Sequence, residues 1–357
     1  MAASQVSQAS RARVARKIAT AAAYGGGGLG LLGVGLVGLL VTESRLAIRA
    51  VGLLEGDPPP ADGVYGAAFA DPGSDEPPLV LAFLGDSTAA GLGVTRGEET
   101  PGALLATGLA SVAERRVRLV NVARSGAQSA ELAEQVERAL PHLPDLAVIM
   151  VGANDVTRHS PAALAVRHLG EAVRDLRAAG CQVVVGTCPD LGTIKPVQPP
   201  LRWVARRLSR QLAAAQTITV VEQGGRTVSL GSLLGPEFAA RPEMFAADRY
   251  HPSAQGYATA AMALLPSLCA ALDLWPEEFG PRIEAEQVLP MAVAAAAAAG
   301  RSGTEVAAAE RLGDLGRRWA QVKLRLRLGL PDSSESVPEP GSASANSHPG
   351  TDDARAT

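Results

Sequence analysis

The amino-acid sequence predicts an α/β domain with a mainly parallel sheet over residues 79–280. Short apolar runs alternate there with longer stretches of helical composition. Short apolar runs between helices are typical of strands that are covered by helices on both faces. A separate apolar run close to the N-terminus predicts one transmembrane helix in addition to this domain.

The chain begins with a basic segment, residues 1–17, which precedes the apolar run. No charged residue occurs between Ile18 and Val41, and about 20 apolar residues are enough to span a bilayer. We therefore assign residues 18–42 to a transmembrane helix or signal anchor. The excess of Arg and Lys before the run favours a cytoplasmic N-terminus and an extracytoplasmic location for the rest of the chain.

A cleaved signal peptide has the same layout of a basic segment followed by an apolar run. The protein would then be secreted rather than anchored. The residues after the run, Thr42-Glu43-Ser44, form a poor cleavage site. We therefore favour a retained anchor that tethers the chain to the membrane.

Residues 43–78 are predicted to form an extended, mobile linker, since two stretches in this range are rich in Pro, Gly and acidic residues. Apolar runs of the following domain are predicted strands, at 79–85, 117–123, 146–152, 181–187 and 217–222. The stretches between and after them are predicted helices, at about 101–114, 129–140, 161–179, 201–215 and 256–273.

The C-terminal part of the chain differs in composition from the α/β domain. Residues 281–330 are Ala-rich and are predicted to form a helical extension, although KLRLRLGL (323–330) alternates with period two. Such a segment either places a basic face against a membrane or forms the solvated end of a packed helix; we favour the second. Residues 331–357 contain few apolar side chains and are predicted to form a disordered tail.

Composition excludes several classes of protein. The formal net charge of -3 gives no basic face for nucleic acid. The three cysteines do not form a disulfide framework and are predicted to be small buried apolar residues. No HExxH motif, paired Cys/His set or Gly-rich phosphate loop with a following Lys occurs. The sequence therefore predicts neither a metal site nor a cofactor.

A serine follows the first predicted strand of the domain, in Gly85-Asp86-Ser87. Ligands of parallel α/β sheets bind at the carboxyl ends of the strands, so Ser87 stands where a nucleophile is expected. The helix that follows offers its positive N-terminus to developing negative charge. Taken alone, a Ser in such a turn is more often a helix cap.

An aspartate and a histidine lie three residues apart late in the domain, in DRYHP (248–252). A serine nucleophile needs a base, and the imidazole of that base needs a carboxylate that fixes its tautomer. His251 and Asp248 meet these needs within one turn of chain. Two alternatives stay open: Asp248 caps the turn before the last helix, or His159 is the base.

Hydrogen-bond donors follow two further strands. Asn154 comes after the third strand in GAND (152–155), and Gly126 comes after the second in ARSGA (123–127). Acyl transfer builds negative charge on a carbonyl oxygen, and an Asn amide or a closely approaching backbone N–H stabilises that charge. Taken singly, each of these sequences also fits an ordinary turn.

Together the four segments resemble the SGNH/GDSL hydrolase family, whose sequence blocks carry Ser, Gly, Asn and His in this order. The resemblance covers about residues 79–275, with Thr88 in place of the Leu of the family name. It implies a flavodoxin-like three-layer α/β/α fold with a five-stranded parallel sheet. It also implies a site in which Ser87 is the nucleophile, His251 the base and Asp248 the partner of that base.

The resemblance further implies an oxyanion hole made of the backbone N–H of Ser87, the backbone N–H of Gly126 and the side chain of Asn154. The leading hypothesis is a serine esterase or lipase that hydrolyses carboxylic esters through an acyl-serine intermediate. Lipids or acylated glycans of the cell envelope are the expected substrates of a domain held outside the membrane. Two alternatives stay open: an envelope O-acyltransferase on the same fold, and a non-catalytic envelope binding protein.

Overall fold

Nine strands of the described residues form one sheet. The computed structural model describes residues 42, 56–70, 76–194, 196–231, 241–274, 287–301, 303–309 and 316–324. The strands are β1 (Gly63–Tyr65), β2 (Leu79–Gly85), β3 (Val117–Asn121), β4 (Leu146–Met150), β5 (Gln182–Gly186), β6 (Arg226–Val228), β7 (Gln287–Pro290), β8 (Thr304–Ala308) and β9 (Trp319–Leu324). The helices are α1 (Ser87–Ala90), α2 (Pro101–Ala113), α3 (Leu132–Ala139), α4 (Ala153–Thr157), α5 (Ala162–Ala178), α6 (Leu201–Glu222), α7 (Ala254–Ala271) and α8 (Met291–Ala299).

The strands follow the order β1-β3-β2-β4-β5-β6-β8-β9-β7 across the sheet. The neighbouring pairs from β3 to β6 are parallel, and every pair outside them is antiparallel. The prediction of a five-stranded parallel sheet is therefore wrong for the sheet as a whole, which is mixed. Parallel pairing is confined to the five central strands. The flanking strands were not predicted, although the period-two alternation noted at 323–330 overlaps the last two residues of β9.

Helices cover both faces of the central strands, as the uninterrupted apolar runs predict. In β2, Leu81 and Phe83 pack in the core under α2 and α7, whereas Ala82 and Leu84 pack in the core under α3 and α5. Successive side chains of a strand point to opposite faces, so a strand that is covered on both sides is apolar throughout. The α/β class is confirmed, and the parallel strands all end at one edge of the sheet.

The prediction of a strand at residues 217–222 is wrong, because these residues form the end of helix α6. Val220 packs in the core between the sheet and α5, while its neighbour Val221 packs against α8 and β8. The helix is thus covered on more than one side, and this packing overrides the preference of β-branched residues for strands. The fifth parallel strand is instead β6, which pairs with β5.

Two other segments contain strands that the sequence did not indicate. In the predicted linker, 43–78, strand β1 pairs antiparallel with β3. In the predicted helical extension, 281–330, helix α8 is accompanied by β7, β8 and β9, and β8 pairs antiparallel with β6. The linker is therefore not extended, mobile chain throughout. The extension is not helical throughout either, since it continues the sheet of the α/β domain.

Several predictions fall outside the described residues. These are the basic segment 1–17, the transmembrane helix at 18–42 apart from Thr42, and the tail at 331–357. Among the residues that the structure describes, no helix is both long and apolar enough to cross a bilayer. The membrane anchor therefore stays a prediction.

Candidate active site

The serine, glycine and asparagine that the sequence singled out follow neighbouring strands. Ser87 begins helix α1 directly after β2, Gly126 follows β3, and Asn154 lies in α4 after β4. Strand β2 lies between β3 and β4 and is parallel to both. The loops that follow these three strands are therefore neighbours at the carboxyl edge of the sheet.

A chain of hydrogen bonds joins Ser87, His251 and Asp248. The Oγ of Ser87 lies 2.9 Å from Nε2 of His251, and Nδ1 of His251 lies 2.5 Å from Oδ2 of Asp248. All three residues are buried. A carboxylate only accepts hydrogen bonds, so Nδ1 carries a proton and Nε2 is the acceptor for the Ser87 hydroxyl. In this geometry Nε2 of His251 can accept the proton of the Ser87 hydroxyl.

The loop before α7 holds Asp248 and His251 in their relative positions. Oδ1 of Asp248 accepts hydrogen bonds from the backbone N–H groups of Tyr250 and His251, each at 3.0 Å. Arg249 has a φ of +56°, a left-handed conformation that closes the turn. Burial raises the pKa of Asp248, but the hydrogen bonds from the His251 ring and from Tyr250 outweigh it, and the net effect is a lowered pKa. Asp248 is therefore ionised at neutral pH.

The turn that carries Ser87 has no room for a side chain at Gly85. Gly85 has a φ of +133°, and a Cβ at this position would lie 1.9 Å from the carbonyl oxygen of Met150. Asp86 caps α1, since its Oδ1 accepts a hydrogen bond from the Thr88 N–H at 2.9 Å. Burial raises the pKa of the Asp86 carboxyl to about 6. Gly85 and Asp86 thus fix the backbone from which Ser87 projects.

The predicted oxyanion donors are only partly engaged. Within the part of the chain that the structure describes, the backbone N–H groups of Ser87 and Gly126 donate no hydrogen bond to another backbone group. The side-chain amide of Asn154 donates one hydrogen bond to the carbonyl of Ala127 at 3.0 Å. The second N–H of this amide remains for another acceptor. These loops thus carry N–H groups of the kind that stabilise a developing oxyanion.

Comparison with known proteins identifies the family. A model of the GDSL-like Lipase/Acylhydrolase family matches residues 83–259, a range that contains Ser87, Gly126, Asn154 and His251. The GDSL-like esterase Rv1075c of Mycobacterium tuberculosis is 43% identical over 268 residues, which cover 72% of this chain and 85% of that protein. The chain belongs to the GDSL-like lipase/acylhydrolase family. The predicted membership of the GDSL-type hydrolases is therefore confirmed.

Two solved structures are also similar to this GDSL-like acylhydrolase. A catalytic mutant of Axe2, an acetylxylan esterase from Geobacillus stearothermophilus, is 21% identical with a TM-score of 0.43, and the match covers 57% of this chain and 97% of that chain. The psychrotrophic esterase EstA from Pseudoalteromonas sp. is 18% identical with a TM-score of 0.40, and the match covers 54% of this chain and 94% of that chain.

Two buried glutamines support the backbone of the candidate site, and neither was predicted from the sequence. Gln135 of α3 forms hydrogen bonds with the backbone of Gly85. Gln216 of α6 accepts a hydrogen bond from the Cys188 N–H at 2.7 Å and donates one to the Val151 carbonyl at 3.0 Å. Each amide satisfies backbone groups where a strand ends and its ladder stops. A lone polar residue on an apolar helix face is the signal that could have indicated them.

An arginine also borders the candidate site. Arg158 comes four residues after Asn154, and one of its guanidinium nitrogens, Nη2, lies 3.1 Å from the place that a Cβ on Gly126 would take. Residues four apart lie on the same side of a helical turn, so the two side chains reach the same loop. The next residue, His159, is exposed. The imidazole that contacts Ser87 is that of His251 rather than that of the alternative base.

Proposed function

We propose that this chain is a serine esterase that hydrolyses carboxylic esters, with Ser87 as the nucleophile. The observation that carries the proposal is the distance of 2.9 Å between Ser87 Oγ and His251 Nε2, with Asp248 on the other ring nitrogen. A serine hydroxyl is a weak nucleophile until an oriented base activates it. Membership of an acylhydrolase family supports the same class of reaction.

In the proposed reaction, Ser87 Oγ attacks the carbonyl carbon of the ester while His251 Nε2 takes the hydroxyl proton. Asp248 stabilises the imidazolium that results. The carbonyl oxygen becomes negatively charged, and the N–H groups of Ser87 and Gly126 and the amide of Asn154 stabilise it. His251 then donates its proton to the departing alcohol, and the acyl group remains on Ser87 as an ester.

Water completes the proposed cycle. His251 removes a proton from a water molecule, whose oxygen attacks the acyl-serine carbonyl and forms a second oxyanion in the same place. When this intermediate collapses, the bond to Ser87 Oγ breaks and His251 returns the proton to Ser87. The products are a carboxylic acid, an alcohol and the enzyme in its starting state.

The proposed substrates are lipids or acylated glycans of the cell envelope. This part of the proposal depends on the anchor predicted at residues 18–42, which would hold the domain outside the cytoplasm and next to the membrane. An O-acyltransferase on the same fold would instead pass the acyl group from Ser87 to a sugar hydroxyl. Product analysis with and without an added acceptor separates these two reactions.

The experiment that tests the proposal is turnover of p-nitrophenyl esters, from acetate to palmitate, by the full chain and its Ser87→Ala variant. The Ser111→Ala variant is the matched control, because Ser111 lies exposed on α2 and its hydroxyl donates to the Thr107 carbonyl. We expect a loss of roughly 10⁴-fold or more in kcat for Ser87→Ala alone.

Full activity of the Ser87→Ala variant would show that another group is the nucleophile. A folded protein that turns over no ester, yet forms a new ester when a sugar acceptor is added, would favour the acyltransferase. If the full chain hydrolyses the esters and the Ser87→Ala variant does not, the dependence of kcat/KM on acyl length narrows the class of natural substrate.

A further inference from the structure

The first half of helix α6 carries an exposed face with both apolar and basic side chains. Trp203 is 66% exposed, Val204 38% and Leu208 41%. The buried residues of this half, Ser209 and Leu212, lie on the side that packs against the molecule. At 100° per residue, Trp203 lies roughly opposite them. We call the surface formed by Trp203, Val204, Arg207, Leu208 and Arg210 the Trp203 face.

The charge of this helix half differs from that of the chain. Four arginines occur between residues 201 and 210, and no acidic residue occurs in helix α6 before Glu222. The whole chain, in contrast, has a formal net charge of -3. Asp190 pairs with Arg206 and with Arg210, at 3.4 and 2.9 Å. Arg207 forms no ion pair with any residue that the structure describes. The Trp203 face therefore keeps a local excess of positive charge.

We infer that the Trp203 face docks on the surface of an anionic lipid bilayer. An indole and two aliphatic side chains can enter the boundary between headgroups and acyl chains, while the arginines beside them stay at the level of the lipid phosphates. Clustered basic residues on an amphipathic helix are attracted to anionic lipid for this reason. Three apolar side chains on one helix are too few for a stable protein interface, which buries about 800 Å² on each partner.

The position of the Trp203 face links it to the active site. Ala205, on the inner side of the same turns, packs in a cluster with Ala153, Leu191 and Ile194, and Tyr250 packs against this cluster. Ala153 precedes Asn154 of the candidate oxyanion hole, and Tyr250 precedes His251. A bilayer seated on the Trp203 face therefore lies beside the carboxyl edge of the sheet, where esters of membrane lipids would be within reach of the site.

A fluorescent label on the full chain tests the docking. The native cysteines Cys181, Cys188 and Cys269 form no disulfide bond and are buried, so a single exposed cysteine can be labelled selectively with an environment-sensitive dye. We would label Trp203→Cys and, as the matched control, Leu143→Cys. Leu143 is also an exposed apolar residue, at 82%, but it precedes β4 and lies at the opposite edge of the sheet.

On vesicles of phosphatidylglycerol and phosphatidylcholine, we expect the label at position 203 to shift to the blue and to lose its access to a neutral aqueous quencher. The label at position 143 should keep its solution spectrum. The two labelled variants differ only at positions 143 and 203, so the difference between their signals separates docking of the Trp203 face from attachment through any other segment. Protection at both positions, or at neither, would overturn the inference.

The charge requirement is tested with Arg207→Gln in the chain labelled at position 203. Because one arginine near an anionic surface contributes about 1 kcal/mol, docking should weaken roughly 5-fold. Arg167→Gln, which removes the same charge from the exposed surface of α5, should leave it unchanged. Equal protection on vesicles of phosphatidylcholine alone would overturn the assignment to anionic lipid. If the label at position 203 were protected from the quencher without vesicles, the Trp203 face would be in contact with protein instead, and the inference would be overturned. The readout needs no turnover, so its failure would leave the proposed esterase reaction standing.

Discussion

Gly85 and Gln135 exchange a pair of hydrogen bonds two residues before the candidate nucleophile. The N–H of Gly85 donates to Oε1 of Gln135 at 2.7 Å, and Nε2 of Gln135 donates to the Gly85 carbonyl at 3.0 Å. Both residues are buried. The Gly85 carbonyl also accepts from the Arg124 N–H at 3.1 Å, so the glutamine supplies what the neighbouring backbone does not, an acceptor for the Gly85 N–H. It thereby holds the backbone that leads to Ser87.

Replacement of this glutamine should weaken both stability and activity. In Gln135→Met the Gly85 N–H becomes a buried donor without an acceptor, which costs about 2 kcal/mol of unfolding free energy. Because the Ser87 turn loses its support, kcat/KM for p-nitrophenyl ester should fall as well. Denaturant titration and ester turnover measure the two effects. Gln255→Met, on the exposed surface of α7, is the control, and equal stability of the two variants would contradict the role of the pair.

The Asp248→Asn variant should lose activity without losing its fold. The asparagine oxygen can still accept from the N–H groups of Tyr250 and His251, but its NH₂ group then faces Nδ1 of His251. This reverses the tautomer and places a proton on Nε2, where it blocks acceptance from Ser87. We expect kcat to drop on the order of 10⁴-fold. The exposed Asp273→Asn should match the parent, and a drop of less than tenfold in Asp248→Asn would argue against the proposed proton path.

Asp86 should make the protein less stable as the pH rises from about 4 to about 6. Burial raises its pKa from 3.8 to about 6 in the folded protein. Between these values the folded state binds more protons than the unfolded state, so the free energy of unfolding falls with increasing pH and levels off above about 6. The full effect is about 3 kcal/mol.

The Asp86→Asn variant tests this pH dependence. Asparagine keeps an oxygen that can accept from the Thr88 N–H, but it does not ionise. We expect the difference in Tm between variant and parent to grow in favour of the variant from pH 4 to pH 7. Thermal melts in a series of buffers measure it. Parallel profiles for the two proteins would show that Asp86 titrates at its ordinary value.

Gly126 should tolerate alanine poorly for two separate reasons. Its φ is +81°, which strains any residue with a Cβ by roughly 1 kcal/mol, and the new Cβ would lie 3.1 Å from Nη2 of Arg158. Gly180 is the control, since it has a φ of +85° with no atom within 4 Å of the Cβ position. Both alanine variants should lose stability in denaturant titrations, and Gly126→Ala should lose slightly more because of the contact with Arg158. Only Gly126→Ala should also lose ester turnover, by roughly tenfold for a strained donor; equal activity of the two would remove Gly126 from the oxyanion hole.

The positions of three candidate site residues could be predicted because each follows an apolar strand. Ser87, Gly126 and Asn154 come after strands of five to seven residues, whose apolar runs stand out in the sequence. Parallel strands end at a common edge, so their positions along the chain indicate proximity in space. The contact between His251 and Ser87 needed the chemistry of the residues as well, since 164 positions separate them.

The rest of the sheet could not be predicted, because it depends on contacts between distant segments. Strand β6 has only three residues, too few for a periodic pattern. The run at 217–222 has strand-forming residues, but it lies in a helix whose neighbours include α8 and β8, far away in sequence. The strands of the C-terminal extension likewise form hydrogen bonds with β6 and with one another. A local sequence pattern does not indicate which distant strand will be the partner.

The pairing of β6 with β8 also bears on which fragments of the chain would leave the sheet with an uncovered strand. The family match ends at residue 259, yet the open side of β6 is closed by residues 304–308, and Glu305 forms an ion pair with Arg226 at 3.1 Å. An unpaired strand edge is a template for pairing with another molecule. A fragment that stops where the recognisable domain stops would therefore offer β6 to a second copy of itself. The C-terminal strands thus protect the edge of the central sheet from self-association. Protein prepared for crystallisation or assays should therefore extend through Leu324.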